Sequence, residues 1–493
     1  MNNIAEVKLG IIAVSRDCFP IELSTKRRQN VVSECNKKNI SIKELNTIIE
    51  NERDVFEALD EIKKEEINAL VIYLGNFGPE GPTTILAQRF DGAVMIVAAS
   101  EESQKDLING RGDAYCGMLN TSYNCGLRHL KPYIPEYPVG IFSEVADLIQ
   151  DFFPIARILL SLNRLKIFSF GPRPQDFLAC NAPIKPLYDL GIEIMENSEL
   201  DLYDIYMSAA GDPEIKKTVA DMQRELGQGN NYPDILNKLA QYEIALKNFK
   251  KNNLGTSEYG IFANKCWPAF EKYFRFVPCY INSRLASEGM PVSCEVDIYG
   301  TLSEYIATCA TEMPATILDI NNTVPYDMIE QAKDIVKDYK SNDLFMGFHC
   351  GNTPSSCMVN AEIKYQLIMH RLMEPGKNPD ITRGTLEGRI KPGNITIFRI
   401  QSTAATKLQS YLAEGEVLPI KPISFGGIGV FAVKEMARFY RHILIEKQFP
   451  HHTAVAFQHS GKLIFNALKM LGITEIFFNK QKGYLYKTEN PFN

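Results

Sequence analysis

Leu165-Lys166-Ile167-Phe168-Ser169-Phe170-Gly171-Pro172-Arg173-Pro174 reads as an apolar strand running straight into a proline-rich turn. It restates the opening of the chain, where Leu9-Gly10-Ile11-Ile12-Ala13-Val14 leads into Arg16-Asp17-Cys18-Phe19-Pro20. A strand that feeds a turn and then an amphipathic segment is the unit of a βα fold, so two such starts predict two α/β domains built on parallel sheets. Around the first start lie a helical stretch over 27–37, the apolar runs 69–74 and 93–98, and a closing helix over 145–162. Runs that are apolar on both faces suit strands buried inside a parallel sheet.

Downstream of the second start, a charged helix over 234–251 precedes a strand over 291–296. A helix then begins near Leu302, with Thr301 and Glu304 spaced as a capping box, and a strand follows over 315–318. Beyond about residue 375, Gly384, Gly388, Gly393, Gly415, Gly426, Gly427 and Gly429 separate short β-type runs such as 395–400. That texture suits a small antiparallel barrel or sandwich better than further βα units. The reading is α/β overall: two Rossmann-like domains over 1–163 and 164–345, then a third over 346–493 with an antiparallel β-barrel, a helix over 462–471 and a strand over 475–478.

Composition narrows the function. With 45% hydrophobic and 23% charged residues among 493, bulk disorder is excluded, and a net charge of −6 lacks the basic excess that a phosphate-tracking surface needs. No nucleic-acid partner is expected. No run of about 18 apolar residues spans a membrane, and the N-terminus has no signal-peptide pattern. Eleven cysteines without CxxC pairs indicate reduced thiols and a cytoplasmic protein. The glycine clusters do not make phosphate loops. Gly75 to Gly81 has the wrong spacing, with Pro79 and Pro82 obstructing a helix start, and reads as a turn; Gly461-Lys462 lacks the upstream glycine. Gly426 to Gly429 reads as a tight turn between strands. No nucleotide cofactor is expected.

Chemistry concentrates elsewhere. Ligands of open α/β sheets gather at the carboxyl ends of strands, and Glu295 and Asp319 each sit where an apolar run gives out. The same two acids would also serve as cap or turn carboxylates, and Asp297 could replace Glu295 as the functional member. Of seven histidines, His349 closes an apolar run, and His451, His452 and His459 cluster near the end. One imidazole with two carboxylates suits a hard or borderline divalent ion such as Mn2+ or Mg2+. Adjacent residues on an extended segment face opposite ways, so only one histidine of the doublet faces such an ion.

At these residues the sequence resembles the L-fucose isomerase and L-arabinose isomerase superfamily. The likeness rests on Cys294-Glu295-Val296-Asp297 with Gly300, on Leu318-Asp319-Ile320-Asn321-Asn322, on the block from His451-His452-Thr453 through His459-Ser460-Gly461, and on their order after Arg16-Asp17-Cys18-Phe19-Pro20. The resemblance implies a metal-dependent aldose–ketose isomerase working through a cis-enediol on an L-fucose- or L-arabinose-like sugar. The alternatives are a deoxy or acid-substituted sugar, or a non-catalytic sugar-binding homologue. It implies Glu295 and Asp319 as catalytic groups and metal ligands, His452 as a ligand with His349 as a further one, and Arg16, His451 and His459 toward the substrate. It also implies a homo-oligomer, a hexamer or trimer, in which Arg16 and the turn over 76–80 meet a neighbouring subunit.

Overall fold

In the computed structural model, which describes residues 1–108 and 110–492, the chain forms two units. One comprises Ala5–Leu160 with Asn466–Gly472, and the other Met1–Ile4, Ser161–Phe465 and the chain from Ile473 onward. No helix of the described residues is long and apolar enough to cross a membrane.

The first of these units is a doubly covered parallel sheet. Its strands are β1 (Leu9–Val14), β2 (Lys43–Ile49), β3 (Ala69–Leu74), β4 (Ala93–Ala99) and β5 (Val139–Gly140), in the order β2-β1-β3-β4-β5. Every residue of β1, β3 and β4 is buried, as continuous apolar runs require when helices cover both faces. The prolines at 79 and 82 do not obstruct a helix. They open one, Glu80–Arg89, with Pro79 at its N-cap and Pro82 in the first turn, where the amide has no intrahelical acceptor to lose. Gly117, on the helix Ala114–Leu127, allows that helix to lie on the 76–80 segment: a Cβ there would stand 2.2 Å from the Phe77 carbonyl oxygen.

The larger unit carries two sheets. One is parallel, with β6 (Leu165–Gly171), β7 (Glu193–Ser198), β8 (Tyr259–Ala263) and β9 (Val292–Ser293) in the order β7-β6-β8-β9. The other is a mixed sheet of nine strands: β10 (Thr316–Asn322), β11 (Leu344–His349), β12 (Met358–Tyr365), β13 (Arg383–Ile390), β14 (Gly393–Ser402), β15 (Leu408–Leu418), β16 (Gly427–Ala432), β17 (His452–Ala456) and β18 (Glu475–Phe478). Their order is β12-β13-β16-β11-β10-β17-β14-β15-β18, and β15 also pairs with β16. Gly427 and Gly429 therefore lie inside a strand, and the turn expected over 426–429 shrinks to Gly426 at φ +78°.

Two expectations around the acids need correction. The strand over 291–296 stops after Ser293, because the chain turns through Cys294–Val296. The helix that follows is Ile298–Thr311, starting four residues before Leu302, and its N-cap is Asp297 rather than Thr301. Asp297 Oδ1 accepts from the Gly300 amide at 2.8 Å, and a Cβ on Gly300 would stand 2.5 Å from the other carboxylate oxygen. The run at 315–318 does not continue the parallel sheet either. As part of β10 it pairs antiparallel with β11 and β17.

Candidate active site

Register builds the site. In the antiparallel pairing of β10 with β17, Asp319 is the direct partner of His452, and in that of β10 with β11 it is the partner of Phe348, the neighbour of His349. Directly opposed residues share a face. Glu295 reaches the same place from the end of β9, on a turn in which Glu295 (φ 53°) and Val296 (φ 56°) are both left-handed. That conformation is costly for side-chained residues, most of all for a β-branched valine. The Val296 amide donates to Asn264 O at 2.8 Å, and the Asp297 amide to Cys294 O at 3.1 Å, which fix the turn.

The result is two adjoining groups of possible metal donors, Asp319 with His451 and His452, and Glu295 with His349 and Cys294, joined where His452 meets Glu295. His452 Nε2 lies 3.3 Å from Glu295 Oε2 and 3.5 Å from Asp319 Oδ1. Those two carboxylate oxygens and His349 Nδ1 are buried with no hydrogen-bond partner. Buried polar atoms without partners are rare, and three in these two adjoining groups point to an absent ligand. Donors about 2.1 Å from a shared octahedral ion stand about 3 Å apart when adjacent, close to the spacings here. The residues fit a divalent metal ion, with oxygen and imidazole donors.

Behind His452 stands a second layer that the sequence only partly signalled. Asp297 Oδ2 lies 2.8 Å from His452 Nδ1 and holds a proton there. Against burial, the hydrogen bonds to Asp297, Cys180 and Glu295 raise the His452 imidazole well above its ordinary value, so a metal ion at Nε2 would displace a proton. Asp297 is in turn gripped by Arg399, at 2.8 and 3.0 Å to its two oxygens, and Arg399 is bonded to Gln401 Oε1 at 2.7 and 3.0 Å. Arg399 and Asp297 are 0% and 1% exposed, so this is a fully buried pair. Asp297 does not replace Glu295; it supports His452. Arg399 was not anticipated, although a lone cation inside the apolar run 395–400 was the signal available.

Electrostatics follow this arrangement. Burial would raise the Glu295 carboxyl, but the adjacent His452 imidazole outweighs it and holds it below its ordinary value. At Asp297 the Arg399 charge and His452 overcome burial, keeping it far below the carboxylate range. Burial lowers His349, against the pull of Asp319 and Glu295, and lowers His451 to about 4. Two neutral imidazoles beside ionised carboxylates are the protonation states that bind metal.

The remaining expected residues separate. His451 is half-buried just before β17, with Nε2 3.7 Å from Asp319 Oδ1. Strand alternation does not turn it away, because it precedes the strand. His459 is not brought to the cluster: it lies beyond the other end of β17, exposed, with Nε2 bonded to Gly415 O at 3.0 Å. In the other unit, Arg16 and the 76–80 segment come together as one feature. Arg16 Nε donates to Gly78 O at 3.1 Å, its guanidinium stacks 4.6 Å over the Phe77 ring, and Glu80 is 3.6 Å away.

Residues 10–163 match the model of the fucose/sulfoquinovose isomerase N-terminal domain, and residues 347–477 that of the L-fucose isomerase C-terminal domain. Among individual proteins, a sulfoquinovose isomerase of Alkalicoccus urumqiensis is 24% identical over 64% of this chain and 65% of its own length. The chain thus spans just under two thirds of that relative. A sulfoquinovose isomerase of Priestia aryabhattai is 22% identical over 80% of this chain and 81% of its own length.

Proposed function

We propose that this chain, which belongs to the fucose isomerase-like family of aldose–ketose isomerases, interconverts the aldose and ketose forms of a sugar carrying an acidic substituent. The observation that carries the reading is the set of partnerless oxygens of Glu295 and Asp319 at His452 Nε2, with the partnerless His349 Nδ1 beside Glu295. The relatives' names move the substrate from the expected L-fucose- or L-arabinose-like sugar to the acid-substituted alternative, a 6-sulfonated hexose. A non-catalytic binding protein has no use for such a cluster.

Glu295, Asp319 and His452, with His349, are the residues that would hold Mn2+ or a similar ion. When bound, such an ion supplies Lewis acidity toward two adjacent sugar oxygens. Glu295, ionised and buried, is suited to take the proton from C2 and return it to C1 through a cis-enediol. Asp319, opposite His452 on β10, would serve the transfer between the two oxygens. His451, at the edge of the cluster, contributes a neutral imidazole toward a substrate hydroxyl. Arg399 and Asp297 move no proton; they hold His452 in one tautomer.

Further readings belong with this one. The antiparallel pairings β16-β11-β10-β17-β14-β15 return to β16, which supports a six-stranded barrel within the larger unit. The helix Ala114–Leu127 carries no charged residue and exposes Tyr115, Leu119, Tyr123 and Leu127 at four-residue spacing, which supports a homo-oligomer using this face. Eleven free cysteines suit a reducing compartment such as the cytoplasm.

The test is a panel of neutral, sulfonated and phosphorylated aldoses, monitored for ketose formation before chelation, after chelation and after adding Mn2+. Ketose formed from an anionic aldose, lost on chelation and restored by Mn2+, is the expected result. Full turnover by metal-free protein, or none with any sugar, would overturn the proposal.

A further inference from the structure

We infer that Arg173 recognises the anionic substituent of the sugar, an assignment that rests on the acid-substituted substrate proposed above. The loop after β6 borders the carboxylate–histidine cluster at both of its ends. At its start, a Cβ on Gly171 would stand 3.7 Å from Val296 Cγ1, beside Glu295. At its end, Cys180 Sγ lies 3.7 Å from His452 Nδ1. Between them Phe177 packs edge-on against His451, with ring centroids 5.5 Å apart, and against Trp267 at 6.1 Å.

Arg173 ties these ends together, its Nε donating to Cys180 O at 3.0 Å. It is half-buried, yet its two terminal nitrogens have no hydrogen bond and no ion pair among the described residues. Four other arginines of the same unit are committed: Arg399 to Asp297, Arg284 to Glu243, Arg383 to Asp234 and Arg438 to Glu489. Arg389, half-buried on β13, likewise makes no hydrogen bond or ion pair among the described residues, so what sets Arg173 apart is its loop, which borders the cluster at both ends. A half-buried guanidinium with an open fork presents two coplanar N–H donors to two oxygens of one anion. Over residues 172–184 Arg173 is the sole cation, and the sole acid, Asp176, does not pair with it. A single positive charge matches a sulfonate monoanion better than a phosphate dianion.

The competing role is structural, since Nε alone could anchor the loop. Kinetics with paired sugars separate the two, using the full chain loaded with Mn2+. The substrates are a 6-sulfonated aldohexose, its neutral 6-deoxy counterpart and the 6-phosphate, with Arg173→Gln and Arg173→Lys compared to the unaltered protein. A charge-assisted hydrogen bond is worth roughly 10- to 100-fold in binding. Arg173→Gln is expected to raise KM for the sulfonated sugar by about that factor and leave the neutral sugar within about threefold, with Arg173→Lys between. Equal losses on both sugars, with either variant, would reduce Arg173 to a loop anchor and overturn the assignment; so would an unchanged preference for the anionic sugar. An unaltered protein that prefers the neutral sugar overturns the substrate reading and this one with it. A preference for the phosphate that depends on Arg173 keeps Arg173 as the anion reader and corrects the anion.

Discussion

Asp297→Asn removes one negative charge from a buried relay while keeping the side chain's shape. Arg399 then loses the one carboxylate it pairs with among the described residues, at 2.8 and 3.0 Å, and keeps neutral acceptors only: the asparagine oxygen, Gln401 Oε1 and, at 3.3 Å, the His452 carbonyl. Breaking a buried ion pair from one side costs about 3–5 kcal/mol, because the surviving charge stays desolvated. That is a large share of the roughly 5–15 kcal/mol by which proteins are stable. The second effect falls on His452. An asparagine whose oxygen faces Arg399 turns its NH2 toward Nδ1, so the imidazole proton moves to Nε2 and the metal-facing lone pair is lost. Loss of such a supporting carboxylate lowers metal affinity by roughly 10- to 100-fold. Mn2+ titration followed by electron paramagnetic resonance measures the affinity, and urea unfolding measures the stability. The double variant Asp297→Asn with Arg399→Gln separates the two, since it removes the orphaned charge without restoring the carboxylate. Much of the stability is expected to return while Mn2+ affinity stays low. Wild-type Mn2+ affinity in the single variant, or affinity that returns with stability in the double variant, would refute the relay.

Glu295→Gln is expected to abolish ketose formation and to weaken Mn2+ binding, because it removes both a charged donor and the proton acceptor; near-normal turnover would transfer that role to another acid. Glu271 tests burial alone. It is fully buried, without an ion pair among the described residues, and burial raises its carboxyl from 4.5 to about 8. The folded state then holds a proton that the unfolded chain releases, so stability is undiminished below about pH 4.5 and falls as pH rises to about 8. Glu271→Gln should remove that slope, leaving the variant several kcal/mol more stable than wild type at pH 8, at about 1.4 kcal/mol per pH unit; parallel unfolding curves across that window would contradict it. On the helix Ala114–Leu127, Leu119→Glu with Tyr123→Glu is expected to dissociate the oligomer in sedimentation while leaving far-ultraviolet circular dichroism unchanged. An unaltered assembly would place the interface elsewhere.

The sequence by itself determined the parallel sheets and pointed to the acids proposed for the site. Uninterrupted apolar runs such as Ala69–Leu74 and Ala93–Ala99 are buried on both faces, and that one-dimensional pattern has few other solutions. Glu295, Asp319 and the His451-His452 pair were legible as chemical types where apolar runs give out, although Asp319 lies inside β10 and Glu295 in the turn after β9. What the sequence could not carry was partnership. The run 315–318 looks like any buried strand, and only its antiparallel pairing with β11 and β17 sets Asp319 opposite His452. The left-handed turn at Glu295 and Val296 runs against local preference, so local reading extended a strand through it. Arg399 and Asp297 lie 102 positions apart, and His452 lies 155 from Asp297. Pattern reading sees neighbours along the chain, whereas a buried charge must find its counter-charge wherever folding brings one, and that match is made only in three dimensions.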